Sequence, residues 1–487
     1  MENPLFRISK NTTFISVEKV FEVLASIATV AIVARYLSIE LVGQYILIVT
    51  VVGFLLMGSF AGLERIVIRN ISRDKERTGN YLRGAITARN VMFVGILCVL
   101  GIFLFFLHFD KTSLIATGIF IVSEFLSYQG LTYMAVFKAY ERMEYNTVIT
   151  FITKIITLSA TVLVVYFDMG FISVFLAITV GNLFKSITAF SIFKRLKLSG
   201  LPMIDSVDNP WKDLLRESYV IALTTILAVV CVRMEVFILK AFSTLEDVAF
   251  FQVSHNIIMQ FQIIPMAAIS ALAPVLSREA SLLKGINGNL TERLLTVLLS
   301  IAFPVTILGF YCASDIIYFI YGAKYLQAAT SLRILICSSV FIILFYLFET
   351  LLVSINRQNY IGYGWMFCFV INLILGLLLV PFFGYIGASI AVMFAYTGLC
   401  IFLYFSLVWF IPMKISTPAI LRIITSVLAM VAYLCLFPLN NNHSVILVLA
   451  NACIALVLYG GTYFAWNFYN KKATNRDKGF VLPQKEH

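Results

Sequence analysis

From Gln358 to Met413 the chain runs for 56 residues without a single Asp, Glu, Lys, Arg or His. A membrane-spanning helix needs about 20 apolar residues, so this run holds two spans, and Pro381-Phe382-Phe383-Gly384 in its middle supplies the join. A chain containing such a segment has to fold in lipid, where each backbone N–H and C=O must be satisfied internally; only helices and closed barrels meet that demand. The other apolar stretches are continuous rather than alternating, which excludes the dyad pattern of an outer-membrane barrel. Composition agrees: 61% of the 487 residues are hydrophobic and 13% charged, with a mean hydropathy of +0.94. Soluble domains carry about a quarter charged residues, so a water-soluble enzyme, a disordered chain and a secreted disulfide scaffold are all excluded.

Fourteen spans are expected, over 14–36, 41–63, 84–107, 114–137, 147–167, 171–193, 217–239, 248–275, 291–313, 328–353, 360–381, 384–410, 418–438 and 444–467. The tenth and twelfth are long enough to tilt. With this count, loops on the N-terminal side carry 26 of the 36 Lys and Arg residues, whereas the opposite loops carry only Lys111, Lys240 and Lys324. One missed helix would invert every later loop, so the asymmetry supports the count. By the positive-inside rule both termini are expected in the cytoplasm. Arg7 and Lys10 precede a long first span without a small-residue cleavage site, so that span is expected to be retained. The eight cysteines all fall inside apolar stretches with no C-x-x-C pair, and read as small hydrophobes rather than disulfides or metal ligands.

Two sets of six spans resemble one another. Ala139-Tyr-Glu-Arg142-Met-Glu-Tyr145 follows span four and Ser354-Ile-Asn-Arg357-Gln-Asn-Tyr360 follows span ten, an offset of 215. Gly170-Phe-Ile-Ser173 opens span six and Gly384-Tyr-Ile-Gly387 opens span twelve, an offset of 214. A weaker echo links Arg35-Tyr-Leu-Ser38 with Lys240-Ala-Phe-Ser243. Copies with an even number of spans insert with the same topology and are related by a pseudo-twofold axis along the membrane normal. The expected organisation is an N-lobe over 1–200, a C-lobe over 201–413, two added helices over 414–470 and a basic tail over 471–487 that anchors at anionic lipid.

Seven cations remain inside predicted spans, Lys19, Arg35, Arg89, Lys154, Lys185, Arg233 and Arg333, against Glu18, Glu22, Glu124, Glu235 and Glu349. A mid-membrane charge costs at least about 2.5 kcal/mol on the most lenient scale, so these twelve imply a hydrated interior. Lys19 and Arg89 lie near the cytoplasmic face and Arg35 and Arg333 near the external one, where snorkelling competes with function; Lys154, Lys185 and Arg233 are deeper. Glu18 and Glu22 share a helical face beside Lys19 and can balance it. Five acids do not neutralise seven cations, so an anionic partner is expected. A phosphate or diphosphate headgroup fits, because Arg offers a bidentate fork and Lys a point charge. The candidate substrate-binding residues are therefore Arg35, Lys154, Lys185, Arg233, Arg89 and Arg333, with Glu124, Glu235 and Glu349 as counter-charges or ion-coupling sites. Substituting Arg35 or Arg233 by Ala is expected to abolish transport while leaving insertion normal.

Nothing in the sequence points to catalysis, a metal or a cofactor. There is no G-x-x-x-x-G-K-[ST] phosphate loop, and the longest extramembrane segments are too short for a soluble catalytic domain. His255 is a lone histidine, better read as a cavity liner or a packing residue than as a metal ligand. Pro265, Pro274 and Pro304 are expected to kink their helices. Tyr128, Tyr133 and Tyr346 are candidates for the cavity wall, with lipid-facing positions as the alternative.

The order of several weak motifs is more specific than any one of them. Val33-Ala-Arg35-Tyr-Leu-Ser followed by Gly43-Gln-Tyr45, then Gly62-Leu63-Glu64-Arg65, resembles the first two spans of polysaccharide-export flippases of the O-antigen type. So do Arg233-Met-Glu235-Val-Phe-Ile-Leu, Tyr321-Gly-Ala-Lys324-Tyr and Pro381-Phe-Phe-Gly384-Tyr-Ile-Gly387-Ala388. The resemblance covers essentially the whole chain. It implies the multidrug/oligosaccharidyl-lipid/polysaccharide exporter superfamily, with two six-helix lobes, two further helices and alternating access. The implied substrate is a polyprenyl diphosphate-linked glycan of the undecaprenyl diphosphate type, moved to the outer leaflet of a bacterial inner membrane for O-antigen or lipopolysaccharide synthesis. Lipid II flippases share the Ala-Arg before the first external loop, which assigns Arg35 to a cationic cavity. Glu235 departs from the commoner Arg-x-Asp and leaves that pairing open. Membrane lipid and polysaccharide polymerase or ligase proteins are the expected partners, a monomer the expected state, and nucleic acid is not expected. The rivals are a cation-coupled multidrug exporter, which a positive interior disfavours, and a membrane-bound polymerase or ligase, which would carry a large external loop.

Overall fold

Lipid leaves the backbone no partner but itself, and the described residues are almost all helical. The computed structural model describes residues 4–107, 109–198, 210–262, 269, 276, 288–411, 417–437 and 445–478. Among the described residues there is no strand. The bounded helices are α1 (Pro4–Tyr36), α2 (Ile39–Arg73), α3 (Thr78–Leu107), α4 (Lys111–Ala139), α5 (Met143–Tyr166), α6 (Phe171–Leu198), α7 (Trp211–Phe242), α8 (Leu245–Phe261), α9 (Gly288–Tyr311), α10 (Ala313–Tyr321), α11 (Ala328–Cys337), α12 (Ser339–Ser354), α13 (Asn359–Val408), α14 (Thr417–Leu436) and α15 (Val445–Lys478).

Wherever its residues are described, each predicted span falls on helix. Nine helices among the described residues are long and apolar enough to cross a membrane, and α13, at 50 residues, serves two predicted spans. The chain is thus a multi-pass, all-α membrane protein. The break in α13 falls at Gly384 (φ 53°, ψ −131°), three residues after Pro381, where a positive φ suits a residue without Cβ. The second half of the eighth predicted span, with Pro265 and Pro274, lies outside the described residues.

The structure differs from the sequence reading in one place. The tenth predicted span matches the apolar stretch Ala328–Ser354, made of α11 and α12 with Ser338 between them still in helical φ/ψ (−71°, −16°) and its hydroxyl donating to the Leu335 carbonyl at 2.5 Å. The loop expected before it contains α10, only nine residues long and capped by Gly322 at φ 93°. Tyr321 and Tyr325 at this corner are fully buried, so aromatic packing holds a helix too short to register as a span.

The internal repeat is visible in the backbone. Glu141 and Asn356, 215 positions apart, both adopt positive φ (59° and 57°). At each, the next residue closes the same helix-ending ring: Arg142 N donates to Phe137 O at 2.9 Å, and Arg357 N to Leu352 O at 2.8 Å. This six-to-one bond over a left-handed residue is the Schellman stop. Gly170 and Gly384 likewise share positive φ, 82° and 53°.

The chain divides into two compact units, Met1–Ala249 and Phe250–His487. In the first, the neighbour order α1–α5–α6–α4–α2 is not the chain order. Helices α3 and α7 pack on α2. A buried cluster including Leu63, Ile66, Val67, Met134, Phe137, Ile149 and Leu214 ties six of these helices together near the basic loops. Helix α7 belongs to this unit by packing: the Phe54 and Phe237 rings meet at 5.9 Å, and Arg69 pairs with Glu217. The second unit is built on α12 against α13, α11 against α13 and α14 against α15, with Met430, Leu434, Ala455 and Tyr459 forming a smaller buried cluster. Large apolar side chains face outward throughout, among them Val94, Ile102 and Val457, as expected where the surrounding solvent is hydrocarbon.

Candidate functional site

Four helices of the first unit carry polar residues at helical spacing. Helix α1 has Glu18, Glu22, Ser26 and Thr29; α4 has Glu124, Ser127 and Lys138; α5 has Thr150, Thr153, Lys154 and Thr157; α6 has Asn182 and Lys185. Steps of three and four, completed on α4 by Leu131 and Met134 between Ser127 and Lys138 and with Thr153 and Lys154 adjacent on α5, keep each set on one face. In the structure these faces converge, with Tyr45 and Val49 of α2, on a cavity of about 430 Å³. Membrane helices place ionisable groups toward an interior cavity rather than toward lipid.

The charges are held in a specific way. Lys154 Nζ donates to Ser26 Oγ at 2.9 Å, joining α5 to α1. Lys185 Nζ donates to Ser127 Oγ at 3.0 Å, joining α6 to α4. Among the described residues neither ammonium has a carboxylate within 4 Å. Glu18 accepts from Thr150 Oγ1 at 2.9 Å, Lys19 pairs with Glu22 at 2.8 Å, and Lys138 pairs with Glu64 at 2.8 Å. Asn182 Nδ2 donates to Ser123 Oγ at 2.9 Å behind the wall. A lysine ammonium has three donors, so each hydroxyl orients its lysine and leaves donors for a second acceptor. Four lysines and three glutamates line the cavity; once Lys19–Glu22 and Lys138–Glu64 are set aside, Lys154 and Lys185 stand with Glu18 and Glu124.

Of the residues predicted from sequence, Glu124, Lys154 and Lys185 come together here. The others do not line this cavity. Arg89, only 2% exposed, donates through Nη1 to the Tyr128 carbonyl and lies 5.9 Å from that ring, tying α3 to α4. Arg35 is exposed at the end of α1. Arg233 is half-buried on α7 and Glu235 buried two residues on. Arg333 and Glu349 belong to the second unit, where Arg333 Nη2 donates to Ser314 Oγ at 2.9 Å and Glu349 is half-buried on α12. His255 is buried and stacks on Phe251 at 5.3 Å, and the described residues contain no metal-like cluster. Tyr128, Tyr133 and Tyr346 are not in the cavity wall; Tyr133 packs on Phe190 and Phe193, and Tyr346 donates to Gln262 at 3.2 Å.

The neutral half of the site, Ser26, Ser127, Thr150, Thr153 and Asn182, was invisible to a reading that followed charge alone. Its signal is the polar stripe on α1, where Glu18, Glu22 and Ser26 recur every fourth residue.

The helical architecture has solved counterparts. The lipid II flippase MurJ in an inward closed conformation is 15% identical with a TM-score of 0.75, over 95% of this chain and 100% of that one. A multidrug resistance MATE family transporter of the MOP superfamily, inward-facing, is 14% identical with a TM-score of 0.62, over 83% and 95%. The eukaryotic MATE transporter AtDTX14 is 13% identical with a TM-score of 0.56, over 83% and 96%. The chain therefore has the polytopic fold of that superfamily. The model of the polysaccharide biosynthesis protein family matches residues 8–279, and the chain belongs to that family, as its sequence motifs indicated. No curated protein matches it in sequence.

Proposed function

We propose that the protein is a flippase, not an enzyme, moving a polyprenyl diphosphate-linked oligosaccharide from the cytoplasmic to the outer leaflet of a bacterial inner membrane, with both termini cytoplasmic. No bond is made or broken. The difficulty is the charged headgroup, and an interior that replaces water with fixed cations lowers the barrier to moving it. The observation that carries the reading is the pair Lys154 and Lys185, held on hydroxyls rather than carboxylates inside the cavity. They offer the diphosphate four N–H donors, while the apolar tail stays in lipid. Arg35, which the family resemblance assigns to the headgroup path, stands in the last turn of α1, the end that this reading puts outside. The two six-helix lobes would alternate access by rocking.

In a strain lacking the protein, a lipid-linked oligosaccharide should accumulate on the inner leaflet, and the wild-type chain should clear it. Each charge-assisted hydrogen bond is worth about 1.5–3 kcal/mol, so K154Q and K185Q should each slow clearance by roughly tenfold or more. Normal clearance by the double variant would refute the assignment.

Glu18, Glu22 and Glu124 in the same cavity support one alternative, a cation-coupled multidrug exporter. That reading expects drug resistance to rise with expression and to vanish in E124Q, with no change in lipid-linked glycan.

A further inference from the structure

The two copies separate what the fold requires from what has been added to it. Spans five and eleven correspond at an offset of 215, and spans six and twelve at 214. Near the basic loops the first copy has Ile152, Thr188, Ser191, Arg195 and Leu196, where the second has Phe367, Phe402, Phe405, Trp409 and Phe410. At these five positions the first copy builds the same pair of helices without a ring, although Phe151, Phe190 and Phe193 stand beside them, so the backbone does not by itself require an aromatic at each of these sites in the second.

In the second unit these side chains and Tyr360 wall an outward-facing groove of about 440 Å³ along α13. Rings meet across it, Phe367 with Phe402 and Tyr360 with Phe410, each pair at 5.7 Å. Phe405 is 61% and Trp409 86% exposed. At the rim, the Arg357 guanidinium lies 4.8 Å from the Phe410 ring centre. Its repeat counterpart Arg142 also lies near a ring, 5.9 Å from that of Tyr145, but spends a donor on the same residue's hydroxyl at 3.2 Å. Among the described residues Arg357 has no carboxylate within 4 Å, and Ser354-Ile-Asn356-Arg357-Gln358-Asn359 contains no acid.

We propose that this groove binds an anionic phospholipid, with one acyl chain on the aromatic wall and the phosphate on Arg357. An acyl chain accounts for the apolar wall and its exposure to the bilayer. The arginine, at the loop end of the span where headgroups sit, accounts for the charge. Exposed tryptophan at that depth is the usual interfacial anchor. A guanidinium over a ring is held in place while its remaining N–H edges stay available for bidentate contact with phosphate. The site is separate from the cavity of the first unit and does not depend on what that cavity carries.

The test is native mass spectrometry of the purified full-length protein with equimolar phosphatidylglycerol and phosphatidylcholine of the same acyl chains. One arginine facing anionic lipid is worth about 1 kcal/mol, or about fivefold, so phosphatidylglycerol should be retained about fivefold over phosphatidylcholine. R357Q should abolish that preference and R142Q should leave it intact. The pair F402T and F405S, which installs the first copy's residues, should lower retention of both lipids while keeping the preference. Thermal unfolding of each variant checks that it is folded. A preference that survives R357Q, or one equally lost in R142Q, would overturn the proposal. So would displacement of phosphatidylglycerol by equimolar undecaprenyl phosphate, which would assign the groove to a prenyl chain.

Discussion

At the scale of single residues, a cation in an apolar run has several fates, and the structure distinguishes them. Lys185 and Arg89 are both cations inside predicted spans, one deep and one near the basic loops. Lys185 reaches a cavity and rests on Ser127, whereas Arg89 is sealed against the Tyr128 carbonyl. Loss of a buried charged donor typically costs about 1–3 kcal/mol. R89L should therefore lower the unfolding temperature while the clearance rate per folded molecule changes little, read by thermal unfolding beside the leaflet assay. S26A and S127A remove only the hydroxyl that orients a lysine. Interhelical hydrogen bonds in membranes average about 0.6 kcal/mol, so each should slow clearance about threefold, well short of the lysine variants. Equal losses in S127A and K185Q would mean that the hydroxyl itself meets the cargo.

At the scale of elements, the helix stops and close approaches carry testable strain. Glu141 holds a positive φ without the conformational freedom of glycine, which costs an ordinary L residue about 1–2 kcal/mol. E141G should raise the unfolding temperature, and N356G less so, because Asn tolerates that region better. Where α5 meets α6, a Cβ added to Gly181 would lie 1.8 Å from Thr157 Oγ1. G181A should cost about 1–3 kcal/mol through overpacking, and T157A should restore part of it in the double variant. Most of this level was legible beforehand: hydropathy marked the spans, and the turn after span four announced its copy after span ten. What escaped was α10, since a nine-residue helix held by Tyr321 and Tyr325 has no local signal strong enough to stand alone.

At the scale of the whole molecule, orientation is the sharpest expectation. With basic loops inside, E76C should react with a membrane-impermeant thiol reagent only from the cytoplasmic side and T112C only from the outside, read by labelling of intact and opened cells. The reverse pattern would invert the path assigned to the cargo. The sequence by itself determined that the chain spans a membrane repeatedly, where its spans lie and which turns recur, and the order of its motifs marked its family. The first three follow from demands that a segment carries within itself: apolar length, backbone hydrogen bonding and allowed φ. Only the tertiary structure decided which charges share a cavity. Hydropathy places a residue by depth but not by direction around the bundle, and the neighbour order α1–α5–α6–α4–α2 is not the order of the chain. Lys154 therefore finds Ser26 across 128 positions and Lys185 finds Ser127 across 58, pairings that no local pattern announces.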